Sequence, residues 1–199
     1  AILRAELMGR RVPEAVPEPF LPVIYRKLLH PLAYGPILLD AGRRFGVDPL
    51  LVAAVIREES RYDPRALSAA SARGLTQFVM PTALRVAGEI GFGAVSPEDL
   101  YRPEVSIPLG AAYLAELSRA FLGAPETAVA AYNAGPPQAR VWRTYTMSSE
   151  PEEYFTKVGF TETRGYLRKV LSSWARYHDL YALPPEVPAP PQMSQNGPG

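Results

Sequence analysis

Apolar side chains recur along this chain at three- and four-residue steps, the spacing of one helix face, and nowhere alternate strictly for more than a few residues. The longest such pattern covers 162–181, where Leu167, Val170, Leu171, Trp174, His178 and Tyr181 fall on one side of an amphipathic helix. Prolines punctuate the rest. At the start of a helix a proline's missing N–H removes no hydrogen bond, so Pro36 is expected to open a segment running to Gly46. Asp48-Pro49 supplies a cap and a first-turn proline for the apolar segment that follows. Pro81, Pro108, Pro125 and Pro137 are expected to open later helices. The pattern predicts an all-α fold with short loops and no repeat of fixed period.

Proline also marks the ends. Of 22 prolines, Pro13, Pro17, Pro19 and Pro22 crowd the beginning and Pro184, Pro185, Pro188, Pro190 and Pro191 the end. Residues 1–30 are expected to be a linker, or the remnant of a preceding helical region, with 11–23 extended. Residues 31–182 form the folded domain, and 183–199 a disordered Pro-rich tail with too few apolar side chains to build a core.

Composition narrows the function. Lys and Arg number 21 against 20 Asp and Glu, a net charge of +1, so the basic surplus of a nucleic-acid binder is missing. No apolar run approaches the roughly 20 residues that span a bilayer. There is no cysteine, hence no disulfide, thiolate nucleophile or cysteine metal site. The two histidines, His30 and His178, lie far apart and suggest no zinc site. His178 is most simply a core-edge residue. No metal or cofactor is expected.

The conspicuous chemical group is Glu59. On a helical wheel from Leu50, the residues Leu51, Val52, Val55 and Ile56 form one stripe. Glu59 falls within about 20° of its centre and Glu58 about 80° away, at roughly 100° per residue. A carboxylate there is costly unless paired, protonated or beside a cavity. Burial raises a carboxyl's pKa, which is what a general acid for glycosidic bonds requires. The plainer alternative is a helix frayed by residue 59, with Glu59 solvated. The other acids, Glu58, Asp63, Glu89, Glu116 and Glu162, carry no pattern of a nucleophile, and Asp63 before Pro64 suits a turn.

Three further runs follow. Gly74-Leu75-Thr76-Gln77 lies after a small-residue stretch; its glycine allows close backbone approach, and Gln77 offers a donor and an acceptor. Ala128–Ala131 is a small-residue helix, followed by Tyr132 and by Asn133-Ala134-Gly135-Pro136, which reads as a helix end with a left-handed glycine and a proline stop. Glu162 follows Thr161, a candidate N-cap, and suits the positive end of a helix. Gly165 inside that helix implies the approach of another helix or of a ligand.

In this order the runs Glu59-Ser60, Gly74-Leu75-Thr76-Gln77, Ala131-Tyr132-Asn133-Ala134-Gly135 and Glu162-Thr163-Arg164-Gly165-Tyr166 resemble the catalytic domain of soluble lytic murein transglycosylases. The resemblance spans about 31–181 and includes a Pro31-Leu32-Ala33-Tyr34 lead-in. It implies a lysozyme-like, goose-type helical domain that cleaves the MurNAc–GlcNAc bond of peptidoglycan glycan strands and leaves a 1,6-anhydro product. Glu59 would be the single catalytic acid and base. Ser68 would hydrogen-bond its carboxyl, Gln77 would line the cleft, and Tyr132 would help hold the N-acetyl group. Asn133 and Glu162 complete the implied substrate-binding set. The resemblance also implies an extracytoplasmic location and a preceding superhelical domain. Thr76 stands where the family usually has methionine, which should alter the apolar cover near the sugar. A lysozyme-type hydrolase and a non-catalytic peptidoglycan-binding module are the competing readings.

Overall fold

The computed structural model describes residues 20–147 and 150–181. The expectations for 1–19 and 183–199 lie outside these residues. Nine α-helices form among the described residues: α1 Val23–Leu29, α2 Gly35–Phe45, α3 Pro49–Ser60, α4 Met80–Glu89, α5 Pro103–Ala120, α6 Pro125–Ala134, α7 Pro136–Thr144, α8 Pro151–Lys157 and α9 Thr161–Leu180. A 3₁₀ turn, Asp99–Tyr101, precedes α5.

The prolines act largely as expected. Pro36, Pro49, Pro81, Pro125 and Pro137 each stand in the first two positions of a helix. Pro108 does not: α5 starts at Pro103 and runs through it. The carbonyl one turn earlier loses its helical donor, yet the buried Val105, Ile107 and Leu109 around it hold the helix together. Pro136 likewise opens α7 rather than stopping α6. Gly135 between them has φ 86° and ψ 150°, an extended positive-φ state open essentially to glycine alone, instead of the left-handed helical one.

Every residue of α3 from Pro49 to Ile56 is buried, so this helix is the domain's axle. It packs on α9, α2 and α5. Burial of each Leu, Val or Ile there contributes roughly 1.5–3 kcal/mol. Its entry is tied by Asp48. One carboxylate oxygen accepts from Leu50 N–H at 2.8 Å, and the other accepts from Trp174 Nε1 and meets His178 Nε2, each at 2.7 Å. The start of α3 is thereby bonded to the end of α9. His178 thus joins a polar link to the buried Asp48 as well as being a core-edge residue.

A second apolar cluster joins α4 and α5 through Phe78, Val86, Leu100 and Leu109. A third joins α5, α6 and α7 through Leu117, Phe121, Ala128 and Ala139. The small side chains of α6 are fully buried from Ala128 to Ala131, which lets it lie close to its neighbours. Between α3 and α4 the chain is irregular, closed only by isolated bridges Leu67–Arg73 and Arg73–Phe78, and no helix of the described residues is long and apolar enough to cross a membrane.

Candidate active site

The helix α3 does not fray before Glu59; it continues to Ser60, and Arg61 ends it in the left-handed conformation. Glu59 therefore extends the buried stripe of Val55 and Ile56 by one turn and is itself partly buried. Its Oε1 accepts the phenolic hydrogen of Tyr166, from α9, at 2.7 Å. Burial pushes the carboxyl up, the Tyr166 hydrogen bond pulls it down, and the charge of Glu58 pushes it up again, leaving it at about 7.

Glu58 turns away. Its carboxylate is bound by Arg57 and accepts from Ser173 Oγ at 2.9 Å. Two adjacent acids thus have unlike environments, one held by a cation and one, among the described residues, by a phenol. The other acids go elsewhere: Glu89 and Glu116 both receive Arg85 on the surface, and Asp63 accepts Arg65 N–H in the expected turn.

Tyr132, at the end of α6, donates to the carbonyl of Thr76 at 2.9 Å. Burial first, and then the charge of Glu59, hold the hydroxyl protons of Tyr132 and Tyr166 well beyond the usual phenol range. Both phenols remain hydrogen-bond donors beside the carboxyl at any physiological pH.

The loop that brings up Gln77 is built around two close contacts. Gly74 has φ +75°, and a Cβ there would lie 1.8 Å from the Leu100 carbonyl oxygen. Thr76 is fully buried: its N–H donates to Ser106 Oγ at 3.2 Å and its hydroxyl reaches the Ser106 carbonyl at 3.0 Å. Its methyl faces Gly110, where an added Cβ would approach to 2.4 Å. This corrects the expectation that Thr76 alters the cover near a sugar. The side chain turns into α5, because its hydroxyl is satisfied there. Gln77 itself takes φ +50°, held by Nε2 donating to the carbonyls of Ala66 at 3.2 Å and Gly74 at 2.9 Å. Its side-chain oxygen has no partner among the described residues.

Ser68 is placed differently from expectation. Its Oγ accepts Ala72 N–H at 3.0 Å, closing its own turn, and the hydroxyl that reaches Glu59 belongs to Tyr166. Asn133 and Glu162 lie at the end of α6 and the start of α9. Asn133 Oδ1 accepts Thr163 Oγ1 at 2.6 Å, tying the end of α6 to the first turn of α9. That bond organises the helix start in place of a Thr161 cap: Phe160 is the cap residue and Thr161 is already helical. Glu162 is exposed and stands one turn before Tyr166. Gly165 is not approached by another helix, since a Cβ there would meet nothing within 4 Å.

Two features escaped the sequence reading. Tyr166 closes the Glu162–Tyr166 run, and its i+4 spacing from Glu162 on an amphipathic helix is the signal that points to it. The Thr76–Ser106–Gly110 contact was signalled only by small and polar residues four apart in an otherwise apolar stretch.

An all-helical domain centred on one partly buried carboxyl, with two phenols beside it, defines a lysozyme-like fold built around a single acid. The chain belongs to the transglycosylase SLT domain family, whose sequence profile matches residues 37–155. The soluble lytic murein transglycosylase of Escherichia coli K12 is 31% identical over 149 residues, 74% of this chain and 23% of that protein. The corresponding protein of Salmonella typhimurium LT2 gives the same identity and coverage. Among solved structures, an inactive Glu-to-Gln mutant of the lytic transglycosylase Slt from Pseudomonas aeruginosa superimposes with a TM-score of 0.74 at 32% identity, over 81% of this chain and 26% of that one. The chain thus spans about a quarter of the length of the relatives it matches.

Proposed function

We propose that this chain is a lytic transglycosylase that cleaves the β-1,4 bond between N-acetylmuramic acid and N-acetylglucosamine in peptidoglycan, outside the cytoplasmic membrane. The observation that carries the reading is Glu59, a carboxyl raised to about 7 and held by a phenol and, among the described residues, by no cation. Such a group is protonated often enough to act as an acid and ionised often enough to act as a base at neutral pH. That a Glu-to-Gln mutant of the Pseudomonas aeruginosa relative is inactive accords with a glutamate being needed in that protein.

In the first step Glu59 gives its proton to the glycosidic oxygen as the C1–O bond breaks. The substrate's own acetamide oxygen bonds to C1, so no second protein carboxylate is required. In the second step ionised Glu59 takes the proton of the muramic C6 hydroxyl. That oxygen displaces the acetamide at C1, giving the 1,6-anhydro ring and restoring protonated Glu59. Tyr166 keeps the carboxyl oriented throughout. The open side-chain oxygen of Gln77 suits a sugar hydroxyl or amide, and Tyr132, Asn133, Glu162 and Ser68 are the other substrate contacts proposed from their motifs.

Mass spectrometry of the soluble products from purified peptidoglycan tests this, with wild type beside Glu59→Gln. Products lighter by one water than lysozyme products, released by wild type alone, are the expected result. Reducing-end products dependent on Glu59 would instead make it a hydrolase. Binding without products from either protein would leave only a binding module.

A further inference from the structure

The backbone leaves α3 by a disfavoured route. Arg61 and Tyr62, at φ 52° and 61°, are the only adjacent pair of non-glycine residues at positive φ among the described residues. The left-handed region crowds any residue with a Cβ, so two in succession persist only where their surroundings hold them. A glycine at either position would remove the crowding, and the sequence has none there.

What holds the pair is two phenols. Tyr62 folds back on α3 and donates to the Ala53 carbonyl at 3.3 Å. The Tyr177 hydroxyl, from α9, donates to the Tyr62 oxygen at 3.1 Å and shares its hydrogen with the Pro31 carbonyl at 3.0 Å. Tyr177 is fully buried, and Tyr62 packs against the same core. Burial pushes both phenols up, so each keeps its hydrogen at neutral pH. Tyr177 stands eleven residues after Tyr166, about three turns along α9 and within about 20° of the same face. One face of α9 thus holds Glu59 through one phenol and the turn beyond Glu59 through the other.

That turn leads directly to the loop of Gln77. Asp63 N–H donates to the Ser60 carbonyl at 2.9 Å, and Ala66 N–H to the Asp63 carbonyl at 3.2 Å. The Ala66 carbonyl in turn receives Gly74 N–H at 3.0 Å and Gln77 Nε2 at 3.2 Å. A short series of hydrogen bonds therefore runs from the end of α3 to Gln77, and the left-handed pair stands at its head.

We propose that Tyr62 is a positioning residue, whose hydroxyl holds the left-handed turn and so fixes the spacing between Glu59 and Gln77. Without that hydroxyl the backbone at 61–62 relaxes toward less crowded conformations, and the Ala66 carbonyl shifts under Gln77. Tyr62 acts through the turn and not on the sugar. The consequence for rate rests on the transglycosylase reading; the consequence for Gln77 does not.

Tyr62→Phe keeps the ring and removes the hydroxyl. Release of soluble products from purified peptidoglycan should fall roughly tenfold, since misplacing a reacting group by about 1 Å can cost about a hundredfold. The side-chain amide signals of Gln77 in heteronuclear NMR, identified by their loss in Gln77→Ala, should move as well. A loss of stability alone would leave those signals in place. Arg61→Gly lets one member of the pair sit at positive φ without crowding. In that background, measured against Arg61→Gly alone, Tyr62→Phe should cost no more than about twofold and move the Gln77 signals less. Unchanged turnover in Tyr62→Phe, unmoved Gln77 signals, or a loss undiminished in the Arg61→Gly background would each overturn the proposal. Should Tyr62→Phe fail to fold, the same readings on Tyr177→Phe decide it in the same way. If wild type releases no product while the Gln77 signals respond to Tyr62→Phe and less so beside Arg61→Gly, the transglycosylase reading fails and the hold of Tyr62 on the turn stands.

Discussion

Tyr166 donates its phenolic hydrogen to Glu59 Oε1 at 2.7 Å, joining residues 107 apart in sequence. This one bond both aims the carboxyl and moderates the rise that burial imposes on it. The two effects are separable. Tyr166→Phe removes a bond that favours the ionised form, so the carboxyl should move further up. The alkaline limb of the pH–rate profile should shift to higher pH. Turnover at the optimum should fall roughly tenfold from lost orientation. A limb that stays in place or moves to lower pH would contradict this role for Tyr166.

Stability should carry the same signature with a definite sign. Glu59 titrates near its ordinary 4.5 in the unfolded chain and at about 7 in the fold. Between those values the folded state holds a proton that the unfolded state has lost, so stability falls as pH rises through this window. Above it the charged carboxyl costs the fold up to about 3 kcal/mol. Glu59→Gln removes that titration. Its melting temperature relative to wild type should therefore climb from pH 4.5 to pH 7 and then level off. A difference that is flat across this range would mean that Glu59 is not held up by burial.

The loop carrying Gln77 depends on a tight contact with α5. Gly110→Ala would bring a methyl to 2.4 Å from Thr76 Cγ2, with neither backbone able to yield easily. A loss of about 1–3 kcal/mol is expected in urea unfolding. Turnover should fall as well, because the Thr76 carbonyl receives Tyr132 and Gln77 follows it directly.

The hydroxyl of Thr76 supplies a complementary test. Thr76→Val keeps the shape but leaves the buried groups of Ser106 short of a partner, at about 1–3 kcal/mol. Ser106→Ala takes the acceptor from the Thr76 N–H and should cost stability too, and a double-mutant cycle in urea should give the pair a loss smaller than the sum of the two. Strict additivity would mean the pair contributes nothing jointly.

Asp48 fastens the helix that bears Glu59 to the helix that bears Tyr166. Asp48→Ala removes a cap and the common acceptor of Trp174 and His178. A loss of about 1–3 kcal/mol follows from leaving the buried Trp174 indole N–H without its acceptor, with about 1 kcal/mol more for the lost cap. Chemical denaturation would check it; a loss below about 1 kcal/mol would reduce Asp48 to an ordinary cap.

The helices and the place of the Glu59 carboxyl were legible in the chain, and their partners were not. Repeating apolar steps, capping groups and prolines act over four or five residues, so the sequence by itself determined α2, α3 and α9 and placed Glu59 on the buried stripe of α3. Pro108 inside α5 and Pro136 at the head of α7 show the limit, because burial by distant segments overrode the local signal. Only the tertiary structure decided that Tyr166 rather than Ser68 reaches Glu59 and that Thr76 turns into α5. The reason is physical. Local structure follows from each residue's own backbone and its near neighbours, whereas a hydrogen bond across 107 residues exists only once the packing of α3 on α9 has chosen which side chains share a buried space.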